Sequence, residues 1–183
     1  MLQDANLTLR AVLAAALPIP CRLEFGPARS SAPEDALGAF VFDVAEDISG
    51  RTNEWTDVRD ERGRVVARSV PGRRYRVHYL LWAESPAQEH QYTLLGQVLT
   101  ALSGVEVVPE NLLRGALVDA AGAVRITVAP EDVPGRKRPL DVWPLLDRPA
   151  RPSLELVLTT ALPQTLHAVP GAPTTVDLGL GGR

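Results

Sequence analysis

The chain has 183 residues, enough for one domain with a proper core, and its net charge of −3 gives no electrostatic basis for general nucleic-acid binding. A single cysteine, Cys21, excludes an internal disulfide framework and a cysteine-based zinc site, and a reducing compartment is the simplest reading. The basic residues are nearly all arginine, with Lys137 the only lysine; this bias, like the alanine, glycine and proline content, points to a GC-rich genome rather than to a function.

The first element lies in Thr8 to Cys21, TLRAVLAAALPIPC. A secretory or lipoprotein leader is not expected, because Asp4 makes the start acidic and only Arg10 precedes the apolar run. Pro20 also stands where a small residue should precede a lipidated cysteine. The segment reads instead as an amphipathic helix with Leu9, Val12, Leu13, Ala16 and Leu17 on one face, stopped by Pro18 and Pro20. No apolar run is long enough to span a membrane.

Arg22 to Phe25 reads as a short strand and Gly26 to Asp35 as a polar loop. Phe40, Phe42 and Val44 alternate with Val41, Asp43 and Ala45, which predicts a second strand over Gly38 to Ile48. Val58 to Val70 is expected to form a charged hairpin turning at Asp60-Glu61-Arg62-Gly63.

Arg73 to Gly104 is the most strongly patterned stretch. Tyr75, Val77, Tyr79 and Leu81 alternate with Arg74, Arg76, His78 and Leu80, which predicts a strand. Ser85, Pro86 and Gln88 have the spacing of a capping box with proline at the first helical position. The helix is expected from Pro86 to Ser103, burying Tyr92, Leu95, Val98, Leu99 and Leu102, with Gly104 closing it in the left-handed conformation. Gly96, in mid-helix, suggests close packing.

Pro109 to Arg114 and Pro130 to Val133 suggest helical turns, and Val124, Ile126 and Val128 one face of a strand. Asp141 is expected to cap a short helix carrying Trp143, Leu145 and Leu146. Arg151 to Pro163 reads as a long strand with Leu154, Leu156, Leu158 and Leu162 on one face. The predicted division is a domain over residues 1–163 and an extended arm over 164–183, since the latter is rich in glycine and proline and has no periodicity.

No catalytic constellation emerges. There is no G-x-S-x-G elbow, phosphate-binding loop or H-E-x-x-H. The Glu89–His90 pair is adjacent on a helix and so does not share one face; a partly exposed histidine is the expectation there. Asp43, Glu46 and Asp47 read as a solvated strand end. Trp55, Trp82 and Trp143, with Tyr75, Tyr79 and Tyr92, read as core aromatics, the alternative being a ligand pocket shared with His78. The chain is therefore expected to be no enzyme, with no cofactor and no metal.

The order of the pieces is what carries a likeness. An apolar N-terminal helix precedes FVFDV (Phe40 to Val44), a loop with Asn53 and a hairpin around Gly63. Then come VHYLLWAES (Val77 to Ser85), TLLGQVLTAL (Thr93 to Leu102) and ITVAPEDV (Ile126 to Val133), followed by LDVWPLLD (Leu140 to Asp147) and RPSLELVLTTAL (Arg151 to Leu162). Over Asp4 to Pro163 the chain resembles the domain family of cap, or tail-terminator, proteins of phage-tail-like contractile injection systems.

The resemblance implies an α/β fold of the α+β type, a mixed or antiparallel sheet with helices packed on it. It also implies a structural cap subunit, forming a homohexameric ring that closes the baseplate-distal end of tube and sheath and fixes their length. Its partners would be itself and the sheath and inner-tube proteins, with no nucleic acid and no membrane, in a particle assembled in the cytoplasm. The competing reading is a small-ligand-binding or enzymatic α/β domain using an aromatic and histidine pocket. The residues expected to meet partners are Arg62, Arg64 and Arg68 of the hairpin, and Thr175, Val176, Asp177 and Leu178 of the arm, where β-branched types favour an added strand.

Overall fold

The computed structural model describes residues 1–18, 22–26, 35–50, 55–69, 72–120, 122–130, 138–146, 149–161 and 166–168. The sequence-based expectations for Cys21, Asn53, 27–34, 131–133 and 169–183, including Thr175, Val176, Asp177 and Leu178, lie outside these residues.

Helix α1 spans Leu2–Ala16 and buries Ala5, Thr8, Leu9, Val12 and Leu13. It ends because Leu17 precedes Pro18: the proline ring disfavours helical backbone before it, and Leu17 is extended at φ −83°, ψ 136°. The strands are β1 (Arg22–Phe25), β2 (Ala36–Glu46), β3 (Thr56–Arg59), β4 (Val65–Ser69) and β5 (Arg74–Glu84). Helix α2 follows at Gln88–Leu102, then β6 (Arg125–Val128), α3 (Pro139–Val142), β7 (Ser153–Ala161) and β8 (Leu166–Ala168).

Two sheets result. The larger has five strands in the order β1-β2-β5-β7-β6, and the smaller three in the order β3-β4-β8. In the larger sheet β1 is parallel to β2 and every other pairing is antiparallel, so the sheet is mixed. Side-chain alternation along β5 sorts the layers. Val77, Tyr79, Leu81 and Ala83 face α1 and α2, together with Leu156 and Leu158 of β7. Leu80 and Trp82 face the other way, onto Val142 and Trp143 of α3 and the 3₁₀ turn Trp143–Leu146 that continues it. The sheet is thus covered on both sides around Leu80–Ala83 of β5, a run that is apolar throughout and buried.

Two polar side chains of α1 pin it to its surroundings. Tyr79 Oη donates to Asn6 Oδ1 at 3.0 Å, and the Arg114 N–H donates to Thr8 Oγ1 at 3.0 Å. Burial pushes the Tyr79 hydroxyl well above the ordinary tyrosine range, so it stays a donor. The outer side of β6 is paired as well. Val108 N–H donates to Val124 O at 2.9 Å and Ile126 N–H to Glu106 O at 3.1 Å, so a sheet edge is capped by irregular chain.

Four expectations about α2 are corrected. Its N-cap is Ala87, and Ser85 makes no cap to the helix; Ser85 Oγ accepts only from Ala87 N–H at 3.3 Å. The helix therefore starts two residues late, with Pro86 outside it. The buried side chains are Leu94, Leu95, Val98 and Leu102, while Leu99 is 42% and Tyr92 52% exposed. On a helical wheel the buried arc runs from Leu94 through Val98 and Leu102 to Leu95, and Leu99 falls one step beyond it. Gly104 is not among the glycines with positive φ; the cap is Ser103 in right-handed helical conformation. Among the described residues Gly96 packs against nothing, since a Cβ there would meet no atom within 4 Å.

Close packing occurs instead at Gly38. It lies opposite Trp82 in the β2–β5 register, and a Cβ at Gly38 would fall inside the Trp82 indole. The residue at the N-cap of α3 is Arg138, whose N–H donates to Asp141 Oδ2 at 3.0 Å, so Asp141 caps from inside the first turn rather than from before it.

Candidate interaction surfaces

The hairpin β3–β4 is built by its turn. Gly63 takes φ +77°, which a side chain would resist. The Asp60 carboxylate accepts the N–H groups of Arg62 and Arg64, each at 2.9 Å, and the Arg64 Nε at 2.9 Å. The Arg64 N–H, the Arg64 guanidinium and the Arg62 N–H together hold the Asp60 carboxyl below the usual carboxylate range, against a smaller opposing effect of burial. Next to the turn, Arg59 Nη1 donates to Gly63 O at 2.9 Å.

Asp57 sits between two arginines, with Arg68 Nε at 3.1 Å and Arg59 Nη2 at 3.4 Å. Of the sequence-predicted contact residues, Arg64 and Arg68 are thus already paired within the hairpin, through Asp60 and Asp57. Their side chains remain 70% and 58% exposed. Such pairs are held weakly in water and exchange readily for charged groups on another molecule. Arg62 stands exposed at the tip of the same turn. The bulge between Val58 and Arg59 leaves Val66 of β4 without a register partner and 45% exposed.

β8 extends this small sheet. It pairs antiparallel with β4, placing His167 opposite Arg68. Three residues of the stretch expected as an arm are therefore a strand beside the hairpin. Among the described residues, β3 and β8 are the two edges of this sheet.

Among the described residues, the remaining polar groups are paired or scattered rather than gathered at one site. His78 and Glu155 are buried together on β5 and β7, with Nδ1 to Oε1 at 2.8 Å, and the Phe42 ring lies 5.9 Å from the imidazole. His78 is 2% exposed, so it does not line an open pocket. His90 lies exposed on α2, 3.8 Å from Asp35. Among the described residues no group of three or more histidine, cysteine, aspartate or glutamate side chains could hold a metal ion.

Trp82 and Trp143 fill each other's space, edge to face at 5.5 Å, whereas Trp55 is 55% exposed. Two of the three tryptophans are therefore core, and no aromatic pocket with His78 forms among the described residues. The strand end at Asp47 is also not solvated as expected. Asp47 is buried, accepts from Ser49 Oγ at 2.7 Å and lies 3.8 Å from Arg74 and 3.9 Å from Arg76. Sequence reading missed this because the arginines lie on β5, distant in the chain and adjacent only through the β2–β5 register.

A last surface lies on α2. Ala16 and Pro18 at the end of α1, with Thr93, Gly96, Thr100 and Ala101 of α2, line an open, mainly apolar groove of about 550 Å³. Glycine at this helical position costs about 1 kcal/mol relative to alanine. Nothing among the described residues explains it, because a side chain there would meet open space.

A family model described as the Pvc16 N-terminal domain matches residues 6–176. The chain belongs to that family. Two solved structures have the same fold. One is the sheath/tube terminator, in the extended state, of the extracellular contractile injection system PVC, at a TM-score of 0.63 and 18% identity, covering 100% of this chain and 64% of that one. The other is the anti-feeding prophage cap, a tube terminating cap, at a TM-score of 0.62 and 20% identity, covering 100% of this chain and 61% of that one. The chain thus spans less than two thirds of the length of either structure. No curated protein matches it. The family agrees with the resemblance drawn from the order of the sequence elements, and the mixed α+β fold agrees with the fold class expected from it.

Proposed function

We propose that this chain is a structural cap subunit, which closes the end of tube and sheath far from the baseplate in a contractile injection system and so fixes particle length. The observation that carries this reading is the family match over residues 6–176, on a fold that aligns with 64% and 61% of the length of two solved terminator proteins. The chemistry of the surface supports it. Exposed arginines sit on the β3–β4 hairpin, and the buried His78, Trp82 and Trp143 are occupied in packing.

In this reading the cap is a ring of six copies, it is not an enzyme, and its partners are itself, the sheath and the inner tube. Arg62, Arg64 and Arg68 meet acidic groups of a neighbouring subunit, sheath or tube. Residues 164–183 act as an arm after a domain over residues 1–163, held to the hairpin through β8, and Thr175, Val176, Asp177 and Leu178 add a strand to a neighbouring edge. No helix among the described residues is long and apolar enough to cross a membrane.

The test is the particle-length distribution, measured by electron microscopy in cells with and without this protein. Uniform lengths that broaden on its removal, and sharpen again when it is restored, are expected. Lengths that stay uniform without it would overturn the proposal.

A further inference from the structure

The pairings that run through the two sheets keep one register. β5 pairs with β7 from Trp82–Ser153 to Arg74–Ala161, and β4 pairs with β8 from Ser69–Leu166 to Ala67–Ala168. Four residues separate the two stretches on each strand, 70–73 on one and 162–165 on the other, so the register is the same on both sides of the interruption. β8 therefore continues β7. Because β4 leads from the hairpin turn back to β5, its antiparallel partner β8 runs toward that turn.

Ala168 thus delivers the chain to the turn end of the small sheet. Ala67, its register partner, is three residues from Arg64. Thr175 is the seventh residue after Ala168, and seven residues reach at most about 25 Å. Two sets of candidate contact residues that lie far apart in the sequence, the hairpin arginines and the segment from Thr175 to Leu178, are tethered to the same end of one sheet.

The chemistry of that end defines what it fits. No described side chain of the hairpin is buried, and Val66 is exposed on the side of β4 that Arg68 shares. Among the described residues Arg62 enters no ion pair, and Arg64 and Arg68 enter only exposed ones. Arginines so placed call for carboxylates, and a segment with β-branched residues calls for an open strand edge. Among the described residues no edge strand of this chain is acidic. β1 holds Arg22 with Glu24, β3 holds Asp57 with Arg59, β6 holds Arg125 alone, and β8 has no carboxylate. A second copy is therefore a poor fit.

We propose that the hairpin tip and the chain after Ala168 form one two-part grip on a single open strand edge, flanked by carboxylates, of a protein other than this chain. This inference rests on the capping reading above and gives its two contact sets one partner. Each part raises the effective concentration of the other, so neither alone holds well.

The experiment uses the full chain with Cys21→Ser and particles purified from cells that lack this protein. Glu61→Cys at the hairpin tip and Thr174→Cys beside the arm segment are introduced separately, and each thiol is labelled with benzophenone maleimide. After illumination, mass spectrometry of the digest should find both labels on one and the same particle polypeptide, in acidic peptides. Labels on two different polypeptides, on another copy, on the chain itself, from only one position or from neither overturn the proposal.

Two further variants test the coupling. A chain ending at Ala168 keeps β8, so its melting curve should be unchanged, while labelling from Glu61→Cys falls about tenfold because the second contact is lost. Arg62→Glu, Arg64→Glu and Arg68→Glu together should lower labelling from Thr174→Cys to a similar extent. Labelling that persists undiminished in these variants means two separate contacts and also overturns the proposal. The capping function stands or falls separately, on the particle-length distribution.

Discussion

The two sheets of this protein are held together by different physics. The five-stranded sheet is covered on both faces and carries nearly every fully buried side chain, from Leu9 and Leu13 of α1 to Leu156 and Leu158 of β7. The three-stranded sheet has a turn stitched by one aspartate, exposed ion pairs and side chains that are mostly half or fully exposed. Burial fixes the first and turns most of its side chains inward. Local hydrogen bonds fix the second and leave its charges in reach of one. Stability is thus expected to reside in one sheet and recognition in the other.

The largest effect that tests this division is a cavity in the covered sheet. Leu158→Ala or Leu95→Ala should cost about 2–5 kcal/mol in chemical denaturation, because both sites are almost inaccessible. Leu99→Ala, on the same helix but 42% exposed, should cost about 1 kcal/mol or less. Val66→Ala in the hairpin should fall within about 0.5 kcal/mol of zero. Comparable losses in both sheets would erase the contrast.

Glycines sharpen it next. Gly38→Ala forces a methyl group into the Trp82 ring and should cost about 1–3 kcal/mol. Gly96→Ala enters open space in a helix and should stabilise by up to about 1 kcal/mol. A melt showing both changes destabilising would mean that the surroundings of α2 have been misread.

A third change separates folding from capping. Arg62→Glu, Arg64→Glu and Arg68→Glu together should lower stability less than any core truncation, because the groups are exposed and their pairs screened. Capping of particles should weaken much more, and wild-type capping should weaken with salt. Normal capping by the reversed protein at low salt would make the hairpin a solvated loop and nothing else.

The smallest effect concerns pH. Asp60 is held below the ordinary carboxylate range in the folded hairpin, so its contribution is complete above the unfolded value of about 3.9. That contribution is lost as pH falls through the lower folded value. Exchange of the Arg62 and Arg64 amide protons, read by NMR, should report a turn that stays intact at pH 5 and loosens under stronger acid. Loosening already at pH 5 would show that the arginine contacts do not hold the carboxylate.

What was legible in the sequence follows a pattern. The N-terminal helix, the hairpin turn at Asp60 to Gly63 and the strands around Val77 and Leu156 all carry their signal locally, as periodicity or turn residues. The errors are all relational. Ser85, Pro86 and Gln88 have the spacing of a capping box, yet the strand β5 runs on to Glu84 and the helix begins only at Gln88. Leu99 fits an apolar stripe, yet α2 rests on both the sheet and α1, which sets its buried arc toward Leu94. Of the candidate contact residues, Arg62, Arg64 and Arg68 were visible as a dense run of arginines, but not that Asp57 and Asp60 hold two of them.

The sequence by itself determined most of the segments that become helix and strand, though not β8, and also where the hairpin turns and, through the order of those pieces, the family to which the chain belongs. Only the tertiary structure decided that β1 runs parallel to β2, that Asp47 meets Arg74 and Arg76, that His78 is buried with Glu155, and that β8 joins the hairpin rather than the larger sheet. The physical reason is the range of the interactions. Periodicity and turn chemistry act between residues a few positions apart, whereas strand pairing joins residues such as His78 and Glu155 that meet only once register and layer packing have been chosen together by the whole core.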